Sequence, residues 1–143
     1  MYVKASICVT LLVFVVLKPV DSALSRQQME KAANTMRNNC AQKVGADMSL
    51  VEGIRRGEFA DDPNVKCYVH CVMKLVRTFK GGVIDIDMVV KQVDMMMPVE
   101  IQDRVKAAAR TCGSQPAQPD LCETAFSYIK CSYEADPEVF FFP

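Results

Sequence analysis

The stretch Cys67-Tyr68-Val69-His70-Cys71 sets two cysteines, at i and i+4, around the only histidine of the 143-residue chain. It could be a metal knuckle, a catalytic histidine or one face of a disulfide framework. On a helical wheel at about 100° per residue with Val69 at zero, Val69, Val72, Met73 and Val76 fall within about 60° of one another's centre, and Cys67 and Cys71 lie on the opposite side. His70 falls on a flank with Lys66, Lys74 and Arg77, where cationic neighbours disfavour a metal cation. A zinc site needs four ligands at tetrahedral spacing, which C-x-x-x-C with one misplaced histidine does not supply. The expectation is a helix stapled through one face, apolar on the other, with His70 as a solvated flank residue and no metal or cofactor.

The compartment supports disulfides. Lys4 opens a basic n-region, Ala5 to Leu17 form an apolar run, and Val20-Asp21-Ser22-Ala23 offers small residues for cleavage, which together read as a secretory signal peptide over residues 1–22. The run has 13 residues, short of the roughly 20 a spanning helix needs. Cleavage leaves one domain over residues 23–143, with no second apolar segment long enough to anchor it. It also removes Cys8, so seven cysteines become six, the even count expected of three disulfides in an oxidising compartment. The mature chain carries 15 basic and 16 acidic residues, which leaves no electrostatic case for nucleic acid or anionic membrane.

Helical punctuation runs through the chain, whereas strand signals are poor: no Asn-Gly or Asp-Gly turn and little period-two alternation. Ser25 with Gln28 resembles a capping box ahead of a helix near residues 26–40, on which Met29, Ala32, Ala33, Met36 and Cys40 recur at helical spacing. Asp47 caps a short helix carrying Leu50, Val51 and Ile54 up to Gly57. Asp62-Pro63 opens a third helix expected to reach Phe79 and stop at Gly81-Gly82. Ile86, Val89, Val90, Val93 and Met97 mark a fourth between Asp85 and Met97. Pro98 separates it from a fifth, with Ile101, Val105, Ala108, Ala109 and Cys112 on its stripe. After a loop rich in proline and glutamine, Asp120 caps a last helix to about Ala135. The fold class is all-α, with about six helices.

Helix geometry also narrows the cysteine pairing. Cβ atoms at i and i+4 are about 5–6 Å apart, beyond the roughly 3.5–4.5 Å a disulfide needs, so Cys67 does not pair with Cys71. Cys122 and Cys131, nine residues apart, point to opposite sides of their helix. Of the fifteen pairings six cysteines allow, ten survive, and in all of them the last helix bridges to other elements.

Three features favour a hollow interior over a plain core. Three disulfides, each worth about 2–4 kcal/mol, can hold a shell of helices that is not fully packed. Eight methionines remain after cleavage, Met95-Met96-Met97 among them, and flexible thioethers suit a cavity that accepts varied apolar shapes. The tail ends in Phe140-Phe141-Phe142, which should dock on apolar surface, since each ring is worth about 2 kcal/mol when buried.

The cysteine spacing, with 26, 3, 40, 9 and 8 residues in the successive gaps, resembles the six-cysteine pattern of insect odorant-binding proteins, the general and pheromone-binding family. The resemblance covers essentially the whole mature chain. It implies six helices around an apolar cavity, bridges Cys40–Cys71, Cys67–Cys122 and Cys112–Cys131, and a secreted, extracellular carrier of small hydrophobic molecules such as odorants or pheromones. The implied partners are that ligand, a membrane chemoreceptor and a second copy of the chain, with no nucleic acid and no membrane insertion. Relatives with this pattern occur in non-olfactory secretions, so a carrier of another small molecule is the alternative. A phospholipase-like hydrolase lacks its motifs here: no Cys-Cys pair precedes His70, and no glycine-rich calcium loop is present. No enzyme activity is expected.

The expected ligand contacts come from every layer. They are Leu50 and Ile54 of the second helix; Val69, Val72, Met73 and Val76 of the third; Met88 and Val89 of the fourth; Val105 and Ala109 of the fifth; and Phe126 and Ile129 of the last. Phe140, Phe141 and Phe142 should close over the mouth as a lid, flanked by Glu134, Asp136 and Glu138.

Overall fold

The computed structural model describes residues 26–143; the expected signal peptide, Cys8 and Ser25 lie outside the described residues. Six helices follow in order: α1 Arg26–Val44, α2 Met48–Gly53 continued by a 3-10 turn Ile54–Arg56, α3 Pro63–Leu75, α4 Ile86–Met96, α5 Val99–Gly113 and α6 Leu121–Ala135. Four of the starts share one device, an aspartate just outside the helix whose carboxylate accepts a free backbone N–H of the first turn. Asp47 accepts from Ser49 (2.8 Å), Asp62 from Val65 (2.9 Å), Asp85 from Met88 (3.0 Å) and Asp120 from Glu123 (2.8 Å).

The end of α3 differs from the expectation. The helix stops at Leu75, four residues before Phe79. Arg77 adopts φ 62°, its N–H donates to Lys74 O (3.1 Å), and the Thr78 N–H donates to Met73 O (2.9 Å). This is a Schellman closure with arginine where glycine usually stands, which is why Gly81-Gly82 drew the boundary too far along. Those two glycines, with φ 61° and 84°, instead turn a short antiparallel hairpin of β1 Phe79–Lys80 and β2 Val83–Ile84. Two-residue strands are too short to show a period-two pattern.

Helix α3 is the hub, lying against both α1 and α6. Its two cysteines tie it to different neighbours: Cys71 bridges to Cys40 of α1, and Cys67 to Cys122 of α6. The third bridge, Cys112–Cys131, ties α5 to α6. These are the bridges the family resemblance implies, and the last helix joins two neighbours. Around α3 the packing is solid. Val65, Tyr68 and Val69 have no exposed surface, and Val51, Ile54 and Ala125 are all but fully enclosed.

Candidate functional site

Toward its C-terminal half, α3 no longer meets solid core. Val72, Met73 and Val76 face a cavity of about 210 Å³ bordered by four other helices and the tail. Helix α4 contributes Val89, Gln92, Val93 and Met96, and α5 contributes Val105, Ala108 and Ala109. From α6 come Tyr128, Ile129 and Ser132; from α1, Met29 and Met36. Thr78 fills the corner between α3 and the hairpin, and Met97 and the tail from Val139 to Pro143 complete the wall. The spacing of α4 explains its share, since positions 89, 92, 93 and 96 make one helical face.

Ten side chains expected from the sequence line this cavity: Val72, Met73, Val76, Val89, Val105, Ala109, Ile129 and the three tail phenylalanines. Five do not. Leu50 and Ile54 pack in or against the solid core with α2 and its 3-10 turn. Val69 shares the stripe of Val72 but sits a turn earlier, where the core is filled. Met88 lies about 100° off the inner face of α4. Phe126 is about 120° round α6 from Ser132, and its ring meets the edge of Phe59 (5.7 Å between centroids) and the Lys66 ammonium (5.7 Å) outside the cavity. Asp136, expected to flank the lid, lies on the wall, whereas the polar lining of Thr78, Gln92, Tyr128 and Ser132 was not foreseen, because nothing in the sequence separates these side chains from surface ones.

The tail is fixed at both ends. Where it leaves α6, Arg104 of α5 donates through Nε and Nη2 to the two oxygens of Asp136 (2.7 and 2.8 Å), and Nη2 also reaches Glu138 (2.8 Å). At the far end Arg55 Nε donates to Phe142 O (3.0 Å) and the Tyr68 hydroxyl to Pro143 O (2.5 Å). Burial pushes the Tyr68 hydroxyl up to about 12, so it stays a donor at neutral pH. Val139 and Phe142 are buried, Phe140 sets its ring on the edge of Tyr133 (5.2 Å), and Phe141 is 41% exposed beneath the Arg55 guanidinium. Outside the tail runs a larger, open cleft of about 740 Å³, with Glu30, Asn34, Arg55 and Glu138 on its walls. The smaller, more apolar space is the better match to a small-molecule site, which is concave, mostly apolar and marked by a few polar groups.

His70 is half-buried, in contrast to the solvated residue expected. Its ring stands on the edge of Phe79 (4.6 Å), Nδ1 is 4.0 Å from Cys122 Sγ, and Nε2 is closed off from solvent without a hydrogen-bond partner. Burial, then the Lys74 ammonium, lowers its pKa, against a smaller opposing pull from Asp120. The hairpin that the sequence did not reveal supplies Phe79 and so accounts for the burial. Among the described residues no group of three or more histidine, cysteine or acidic side chains is placed to hold a metal ion, and no helix is long and apolar enough to cross a membrane.

Comparison with known proteins gives concordant matches. Residues 22–135 match the PBP/GOBP family. General odorant-binding protein 72 of Anopheles gambiae is 30% identical over 122 residues, covering 85% of this chain and 100% of that protein. Odorant binding protein 5 of Apis mellifera superposes with a TM-score of 0.80 at 44% identity, covering 85% of this chain and 99% of that one. Odorant binding protein 4 of Chrysopa pallens superposes with a TM-score of 0.76 at 30% identity, over 84% of this chain and 99% of that one.

Proposed function

Since the chain belongs to the PBP/GOBP family, a family of carriers for small hydrophobic ligands and not of enzymes, we propose that it is secreted and carries one such molecule in the cavity between α3, α4, α5, α6 and the tail. In this reading residues 1–22 are removed as a signal peptide, residues 23–143 form the single mature domain, and the ligand is delivered through aqueous fluid to a membrane chemoreceptor. The observation that carries the reading is the apolar cavity beside an otherwise solid core. A volume of about 210 Å³ lies below the roughly 300–1,000 Å³ of sites for drug-sized ligands, so the cargo is small. With about 0.8 kcal/mol per buried methylene and few polar anchors, binding is micromolar in order of magnitude and rises with chain length until the space is full.

The tail acts as the lid. Residues Val139 to Phe142 line both the cavity and the cleft, so displacing Phe140 to Phe142 joins the two spaces and opens a path for the ligand. Displacement of an apolar fluorescent dye tests the carrier reading. Val72→Asp places a carboxylate in the cavity wall and should weaken dye binding at least tenfold while the far-ultraviolet helix signal persists. Unchanged binding in a folded variant would place the ligand elsewhere.

A further inference from the structure

The few polar groups of the cavity wall are already committed in a one-sided way. The Ser132 hydroxyl donates to Tyr128 O (2.9 Å), the Thr78 hydroxyl to Met73 O (3.2 Å), and the Gln92 amide nitrogen to Val76 O (3.4 Å). Each of these bonds satisfies a helix carbonyl, and two of them cap the open end of α3. A hydroxyl has one proton and two lone pairs. What Ser132 and Thr78 still offer the cavity is therefore lone pairs, and Gln92 adds its amide oxygen. The Tyr128 phenol is engaged with the Ser132 hydroxyl, so the donor left among the described residues of the wall is one Gln92 amide proton. Tyr128 is 6% exposed, and burial pushes its hydroxyl up to about 12, against a smaller lowering by the hydrogen bond with Ser132, so it remains neutral.

Charge is as one-sided as hydrogen bonding. Among the described residues no lysine, arginine or histidine lines the cavity, and the single charged lining residue, Asp136, is acidic. Three arginines of the neighbouring elements supply no side chain to that wall. Arg104 holds Asp136 and Glu138. Arg55 lies on the outer side of the tail, bonded to Phe142 O. Arg37, which ends in a buried Nη2 without a partner, is not part of the cavity wall. An ionised carboxylate placed in this space would lose its hydration without gaining a counter-charge, and would face lone pairs where it needs donors.

We propose that the cavity selects a neutral ligand carrying a hydroxyl group, an alcohol or phenol, and rejects the ionised carboxylate of the same chain length. The hydroxyl suits the wall on both counts, donating to a lone pair of Ser132, Thr78 or Gln92 and accepting from the second amide proton of Gln92. An ether of matched length only accepts, and a carboxylate does neither without cost. This rests on the carrier reading and specifies its ligand class.

The test uses the oxidised, delipidated mature protein at pH 7.4, with N-phenyl-1-naphthylamine as the bound dye and three competitors: 1-decanol, decyl methyl ether and decanoate. Decanol should displace the dye at a concentration about threefold or more below the ether, as the loss of one hydrogen bond implies, and at least tenfold below decanoate. In Ser132→Ala the ratio between alcohol and ether should shrink, read within the variant so that any change in dye affinity cancels. Decanoate binding as tightly as decanol, or the ether matching the alcohol, overturns the proposal and leaves the carrier reading standing. Failure of the dye and all three competitors to bind removes both.

Discussion

Ala109→Met decides between a cavity and a solid core by the sign of one number. Ala109 is 3% exposed on α5, on the wall opposite α3. The substitution adds three heavy atoms. If the space beyond Ala109 were filled, those atoms would overpack the core and cost about 1–3 kcal/mol. Facing about 210 Å³ of empty apolar space, they bury instead, worth about 2 kcal/mol at about 0.8 kcal/mol per methylene. Fixing the methionine rotamers offsets up to about 1.5 kcal/mol of that gain. The net is a stabilisation of about 0.5–1 kcal/mol in the ligand-free protein, and a domain of this size converts each kcal/mol into about 3–5 °C of Tm. The same atoms take room from the ligand, so a competitor long enough to fill the cavity should bind about thirtyfold less tightly, the equivalent of roughly 2 kcal/mol. Calorimetric melting of the delipidated variant and dye displacement by a chain-length series give the two readings. A Tm lowered by 5 °C or more with unaltered affinity would falsify the idea that Ala109 borders a cavity.

Two further outcomes are expected. Removing residues 138–143 should speed ligand dissociation in stopped-flow dye displacement with little change in helical content. Arg104→Gln, which frees Asp136 and Glu138, should do so more weakly, about two- to fivefold, since exposed ion pairs contribute about 0.2–1 kcal/mol each, and 1 M salt should erase the difference; unchanged rates in both would show that the tail is no lid. For His70, whose pKa is lowered in the folded state by burial and Lys74, the unfolded chain binds the proton more readily. Its contribution is complete above the unfolded value, near 6.5, and is lost as pH falls from there toward the lower folded value. The drop in Tm between pH 7.5 and pH 5.0 should therefore be smaller in His70→Gln than in the wild type, and equal drops would sink that assignment.

What the sequence made legible was local. Asp47, Asp62 and Asp120 announce helix starts because an N-cap needs only the residue and the first turn after it. The stripe of α3 is readable because period 3.6 is local too. Where that stripe changes from core to cavity is not, since Val69 and Val72 are identical residues on one face and differ only in what other helices bring opposite them. The end of α3 was obscured for a different reason: Arg77 takes the left-handed position that glycine normally signals, and the hairpin it introduces has strands two residues long. That hairpin then buried His70 against Phe79, a long-range consequence that no wheel drawn on α3 alone contains. The polar atoms of Thr78, Gln92 and Ser132 were equally out of reach, because their role depends on which carbonyls they satisfy.

The most direct test of the account is native mass spectrometry of the protein as secreted, before any delipidation. The account predicts one protein chain with three intact disulfides carrying a single small organic molecule, which dissociates on collisional activation and is recovered by solvent extraction as a neutral hydroxyl compound. Bare protein in that spectrum, together with no retention of an added apolar alcohol at micromolar concentration, would contradict it.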